Sequence, residues 1–206
     1  TMITANMVKE LREATGAGML DCKKALTETN GNMEEAITWL REKGISKAAK
    51  KQTRIAAEGL AKAKVEGNKA VIVEVNSETD FVAKNEKFQT FVGNVAKQIV
   101  ASDAKDVEEL LGEAWILDPA KTVKDELVSQ IAVIGENMNI RRFEKLESEG
   151  VISSYIHAGG KIGVLVEADA PANDAVTAAI KTIAMQIAAM NLSLIHISEP
   201  TRLALI

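Results

Sequence analysis

A single cysteine in 206 residues, Cys22, excludes an internal disulfide framework and any all-cysteine metal site. There are two histidines, His157 and His196, and no His-Glu-x-x-His or Cys-x-x-Cys pair, so no metal ligand set or resident cofactor is expected. Aromatic rings are sparse: four Phe, two Trp and one Tyr. That argues against the stacked-ring platform of a single-strand nucleic-acid binder, and a net charge of −4 argues against phosphate binding as the main task. No apolar run approaches the ~18 residues of a membrane span. The first residues lack the charged start and apolar stretch of a secretory leader. The expectation is a cytoplasmic protein with no membrane contact and no direct nucleic-acid contact.

What is there is a chain able to bury a core, 47% hydrophobic and 26% charged. The spacing predicts three short helices in the first fifty residues. Thr4 suits the cap of the first, whose apolar positions Met7, Val8 and Leu11 fall three and four apart, and Thr15-Gly16-Ala17-Gly18 breaks it. Met19, Leu20, Lys23 and Leu26 open a second, ended by Asn30-Gly31-Asn32. Met33, Ala36, Ile37 and Leu40 stripe a third, which Gly44 is expected to close. Residues 47–54, polar and basic on every side, read as a helical linker, either solvated or in contact with an acidic partner.

From residue 60 the period becomes that of a strand. Segments 60–66 and 70–76 flank Gly67-Asn68, a hairpin signal. Phe88, Phe91, Val92, Val95, Ile99 and Val100 mark an amphipathic helix, and further helices are expected over 107–111 and 123–134, with Pro119 starting the second of these. Strands are expected over 139–146, 151–157 and 162–168, then a helix from Asp174. Val73-Glu74-Val75 is echoed by Val166-Glu167-Ala168, and Ala96-Lys97-Gln98-Ile99 by Ala184-Met185-Gln186-Ile187, in the same order. The echo predicts two similar hairpin-plus-helix subdomains, and with the leading helices an α+β fold class. Residues 192–206 break the pattern, resemble the translated adapter tails of incomplete sequences, and are expected to stand outside the fold.

No nucleophile, base or metal with partners emerges, so no catalytic residue is expected and the protein is read as a non-enzyme. Gly159-Gly160-Lys161 has the look of a phosphate-loop fragment but not its spacing, and it falls in a hairpin turn. Cys22 lies beside Lys23 and Lys24, which would favour a thiolate, yet without a resolving cysteine a structural helical thiol is the better reading. His157 ends a strand with no evident partner as a base, which leaves a structural or contact role. The segment from Glu74 to Val82 leaves a strand and enters a helix that Thr79 or Asp80 can cap, which puts Phe81 and Val82 on the first turn. Phe81 is then either tucked against its own sheet or held out as an apolar wedge for a partner's pocket. Periodicity does not choose between them.

Four motifs in order decide more. The run from Leu11 through Thr15-Gly16-Ala17-Gly18-Met19-Leu20-Asp21-Cys22-Lys23-Lys24 to Leu26, the run from Glu74 through Asn76-Ser77-Glu78-Thr79-Asp80-Phe81-Val82 to Lys84, the run Ile134-Gly135-Glu136-Asn137-Met138-Asn139-Ile140-Arg141-Arg142, and the run from Ser154-Tyr155-Ile156-His157 to Val166 all resemble the bacterial translation elongation factor Ts family. The likeness covers roughly residues 3–191. It implies a ubiquitin-associated-like docking module at 1–46, a basic helical linker at 47–59, core subdomains at 60–138 and 139–191, the second incomplete, and a tail foreign to the family at 192–206. It also implies that the family's homodimerisation region is absent here. The implied partner is the GTPase elongation factor Tu, and the implied activity is guanine-nucleotide exchange by speeding GDP release. In that role Asp80 and Phe81, flanked by Thr79 and Val82, intrude between helices of the GTPase domain and shift the elements that hold magnesium and phosphate. Lys23, Gly135, Glu136, Asn137 and His157 are implied as further partner contacts. The resemblance thus favours the wedge for Phe81.

Overall fold

The computed structural model describes residues 2–190 and 201–205. In chain order come three helices, α1 (Ala5–Thr15), α2 (Met19–Glu28) and α3 (Met33–Lys51), then the hairpin β1 (Glu58–Glu66) and β2 (Lys69–Ser77). A helical stretch follows: α4 (Asp80–Ala83), α5 (Glu86–Ala101) and α6 (Val107–Gly112). The short pair β3 (Ala114–Trp115) and β4 (Asp118–Thr122) leads to α7 (Val123–Ile134) and β5 (Met138–Glu147). A second hairpin, β6 (Val151–His157) and β7 (Ile162–Ala168), precedes α8 (Asp174–Met190) and β8 (Thr201–Leu205). The architecture is α+β, leading helices followed by antiparallel sheets with helices. The chain divides into two compact units, one running to Ile55 and including Lys124–Asn137, the other holding Ala56–Val123 and the chain from Met138 on.

In the first unit Thr4 caps α1, its hydroxyl accepting from the Met7 amide at 3.3 Å, and Asn32 caps α3 by accepting from the Glu34 and Glu35 amides at 3.1 and 3.2 Å. The core is Leu11, Cys22, Ala25, Leu26 and Ala36, all fully buried. The phase of α2 is therefore set by Cys22, Ala25 and Leu26, which turns Leu20 to the opposite side, 83% exposed. The expected stripe through Met19 and Leu20 is corrected accordingly. Gly44 does not end α3 either. It lies against α7, where a Cβ would come within 3.3 Å of the Ala132 methyl, so this glycine is a spacer for close helix approach and not a stop. The helix continues to Lys51 through the stretch read as a helical linker polar and basic on every side; Ala48 is buried there and Lys47 is paired.

That pairing joins α2 to α3. Asp21 accepts from Lys43 and Lys47, both at 2.7 Å, and Lys43 also lies 4.7 Å from the Trp39 ring centre. The hydrogen bond from Lys43, then that from Lys47, holds the Asp21 carboxyl below its usual range despite partial burial. A depressed folded-state pKa adds stability above the unfolded value, ~3.9, and that stability is lost as pH falls through the lower folded value. Asp21→Asn should therefore lower the melting temperature at pH 7 by roughly a few degrees and flatten its decline between about pH 5 and 2. Thermal melts across that range check it, and an unaltered acid limb would show that the lysine clamp contributes nothing.

In the second unit β1 and β2 pair antiparallel from Glu58↔Ser77 to Glu66↔Lys69. β5 takes the other edge of β2, from Ser77↔Met138 to Lys69↔Glu147, with a slip in register between Glu74 and Val75. Residues 139–146, expected in the second core subdomain, instead complete the first sheet, whose order is β1-β2-β5. Gly59 makes the tight start of β1 possible: its φ is +131°, and a Cβ would fall 2.1 Å from the Val75 carbonyl oxygen. Phe88, Phe91, Val92, Val95 and Ile99 of α5 are all buried. Pro119 lies in β4 and not at a helix start; Trp115 pairs with Asp118 and Ala114 with Thr122, so the proline stands where no ladder N–H is required. Buried Gln98 of α5 holds this pair in place, donating to Glu113 Oε2 and the Ala114 carbonyl and accepting from the Ile116 amide at 2.7 Å.

The second hairpin pairs from Val151↔Ala168 to His157↔Ile162, and α8 covers it with Ile180, Ala184, Ile187 and Ala188. The predicted echo is thus two hairpins, each followed by a helix. Ile72 and Leu165 share one apolar cluster, and the Gly160 carbonyl accepts from the Ala61 amide, so the two hairpins meet. The tail expected outside the fold contributes β8, which pairs with β7 from Ala168↔Thr201 to Val164↔Leu205. Residues 192–200 and 206 of that tail, including His196, lie outside the described residues.

Candidate functional site

The corner after β2 is built from short polar side chains. Asn76, buried, donates to the Glu58 carbonyl and to Glu74 Oε1, both at 3.1 Å, which ties the end of β2 to the start of β1. Ser77, fully buried, donates to the Thr79 carbonyl at 3.0 Å and fixes the turn. The Thr79 hydroxyl then accepts from the Val82 amide at 3.4 Å as the N-cap of α4. At the other end Asn85 caps α5 through the Lys87 amide at 2.9 Å, and its own amide donates to the Val82 carbonyl at 2.9 Å. The four-residue helix is therefore held at both ends, by a cap before it and a cap after it.

On this corner Val82 and Ala83 are half-buried, and Phe81 is 83% exposed. The reading of Phe81 as core is excluded by that exposure. Leaving such a ring in water forgoes about 1.5–3 kcal/mol of burial. Beside it Asp80 accepts from Lys84 at 2.9 Å. The Lys84 hydrogen bond and charge, with help from Lys161, hold the Asp80 carboxyl below its usual range. Lys161 in turn pairs with Glu58 at 3.2 Å.

At the base of the corner burial would raise the Glu74 carboxyl, but the bond from Arg142 at 2.7 Å, with Asn76 and Arg141, brings it below the usual range. This ion pair crosses from β2 to β5 and stiffens the sheet that carries the corner.

The other residues singled out from sequence fall as follows. His157 ends β6 in the same unit, and Lys161, in the turn after it, is the residue that reaches the field of Asp80. Lys23 is exposed on α2 in the first unit, near exposed Met19 and Leu20 on the same helix. Gly135, Glu136 and Asn137 follow α7 in that unit; Gly135 takes φ +90°, and the Asn137 amide group donates to the Arg54 carbonyl at 2.7 Å. Sequence reasoning missed the exposure of Leu20, whose apolar character looked like core, and the placement of Lys84 and Lys161 around Asp80, which depends on where that carboxyl points. Cys22 is fully buried, and burial raises its thiol pKa, the opposite of what a nucleophile needs. Among the described residues no cluster of His, Cys, Asp or Glu could hold a metal, and no helix is long and apolar enough to cross a membrane.

The family model for Elongation factor TS matches residues 78–200, a span that begins at this corner. The chain belongs to the elongation factor Ts family. The Elongation factor Ts of Clostridium novyi (strain NT) is 59% identical over 194 residues, covering 92% of this chain and 63% of that protein. Those of Halothermothrix orenii and Clostridioides difficile (strain 630) are 53% and 54% identical, over 92% of this chain and 64% and 63% of theirs. The chain thus spans somewhat under two thirds of the length of these elongation factor Ts relatives.

Proposed function

We propose that this chain is a guanine-nucleotide exchange factor that binds elongation factor Tu and promotes GDP release during protein synthesis, acting in the cytoplasm and catalysing no covalent step. The observation that supports this reading best is Phe81, exposed on a corner capped on both sides within the motif shared with the family. Thr79, Asp80, Phe81 and Val82 form the wedge that enters the GTPase domain. His157, Lys23 and the Gly135-Glu136-Asn137 stretch add contacts, and the helices of residues 1–46 serve mainly to dock.

The energetics follow from negative coupling between two ligands on one GTPase. A ~10⁴-fold faster release requires about 5.5 kcal/mol off the barrier, which a preformed interface with an apolar anchor can supply. By linkage, bound nucleotide weakens the factor's grip by the same ratio at which the factor weakens the nucleotide's. GTP binding then completes the cycle and frees the factor unchanged. Release of fluorescent GDP from purified elongation factor Tu, measured against increasing concentrations of this chain, tests the proposal. A rate that stays at its intrinsic value across the whole titration overturns it.

A further inference from the structure

Tyr155 and His157 stand two residues apart on β6, so their side chains leave the same face of the strand. The Tyr155 ring packs against the cluster of Val151, Val164, Val166 and Ile180, which anchors its hydroxyl. That oxygen lies 3.0 Å from His157 Nδ1, with ring centres 5.8 Å apart and tilted by 41°. The His157 carbonyl accepts from the Gly160 and Lys161 amides at 3.2 and 3.1 Å, so the backbone beneath the imidazole is held as well. The second ring nitrogen, Nε2, has no hydrogen-bond partner among the described residues.

A neutral imidazole carries one N–H and one bare nitrogen, and the bond made at one nitrogen decides where the proton sits. A phenol hydroxyl is a good donor with a weakly basic oxygen, whereas a bare imidazole nitrogen is a strong acceptor. The favourable arrangement therefore has the Tyr155 hydroxyl donating to Nδ1, with the ring proton on Nε2. We infer that Tyr155 is a positioning residue that fixes His157 in the Nε2–H tautomer, so that the ring meets the partner GTPase as a hydrogen-bond donor and fits an acceptor oxygen there. This rests on the reading of His157 as a partner contact and adds which atom makes the contact and what keeps it ready. A ring free to sample both tautomers would offer the donor only part of the time and lose affinity in that proportion.

The chain carrying His196→Gln, labelled with ¹⁵N in its one remaining histidine, gives a direct test by long-range ¹H–¹⁵N correlation at about pH 8.5, where an imidazole is neutral. The expected spectrum has an unprotonated Nδ1 and a protonated Nε2, and Tyr155→Phe should bring the two resonances toward each other. A protonated Nδ1, or a pattern that Tyr155→Phe leaves in place, overturns the assignment. In the exchange assay Tyr155→Phe, which keeps the ring in the core, should slow stimulated GDP release about fivefold. It should add nothing further in a His157→Ala background. Unaltered release with Tyr155→Phe overturns the positioning role even if the tautomer is as stated. If the unsubstituted chain never speeds GDP release, the exchange reading fails by its own measure, and the spectra alone decide the tautomer.

Discussion

Replacing Phe81 with alanine should slow stimulated GDP release from elongation factor Tu at least tenfold while leaving the melting of this protein nearly unchanged. The ring is 83% exposed, so its removal opens no cavity and uncovers no core. The caps at Thr79 and Asn85 are made by other residues and survive the substitution. On the proposed reading, what is lost is an aromatic anchor already aimed, and truncating such an anchor typically costs ~2 kcal/mol or more, about thirtyfold in an equilibrium or rate. Because the corner is rigid before contact, little of the binding free energy is consumed in ordering it. The measurement pairs fluorescent GDP release with a thermal melt on the same preparation. A variant that exchanges at the unsubstituted rate, or one whose loss of exchange follows its unfolded fraction, sinks the wedge.

Phe88, seven residues further on, should behave in the opposite way. It is fully buried, the largest such side chain among the described residues, and sits on the first turns of α5. Phe88→Ala removes the ring and leaves a void that the surroundings fill only in part, a change that typically costs 3–5 kcal/mol. For a chain of this size that corresponds to roughly 6–20 °C in melting temperature. Urea unfolding followed by circular dichroism reads the loss directly. At a temperature where the variant is still folded, its exchange rate should stay within about twofold of the parent, since the corner remains built. A loss of stability under ~1 kcal/mol would mean that α5 does not pack as described.

These two phenylalanines mark how far the sequence could be read. The stripe from Phe88 to Val100 repeats at helical spacing and identifies its buried face without outside help. Phe81 stands outside any stripe because its helix is only four residues long, so periodicity has nothing to sample there; the family motif favoured exposure, and the capping geometry gives the physical reason. Leu20 misled for a related cause, since a short helix near a glycine-rich break admits two phases, and only the packing of Cys22, Ala25 and Leu26 selects one. Gly44 carries the residue type of a helix stop, but the helix it meets lies more than eighty residues away along the chain, where local signals do not reach. Pro119 deceived because proline is tolerated both at a helix start and at an unpaired strand position. The hairpins at Gly67-Asn68 and Gly159-Gly160 were legible, as adjacent strands closed by short turns should be. The return of β5 to β2 was not, since pairing between distant strands leaves no spacing to detect.

That return has a consequence for how the molecule comes into being. The first sheet places β2 in its centre, yet the strand that covers one of its edges begins at Met138, with residues 78–137 made in between. At ~5–20 residues per second, a ribosome leaves that edge without its partner for roughly 3–12 s, long compared with the ~1–10 μs in which the β1–β2 hairpin can form. The leading helices wait in the same way, because their unit also draws on Lys124–Asn137. The first unit has all its residues once Asn137 has emerged, the first sheet only once Glu147 has, and the second hairpin and α8 come later still. Protease resistance should therefore appear in the first unit before the second as the nascent chain lengthens, and a strand rich in valine and isoleucine is exposed to chaperones until β5 arrives.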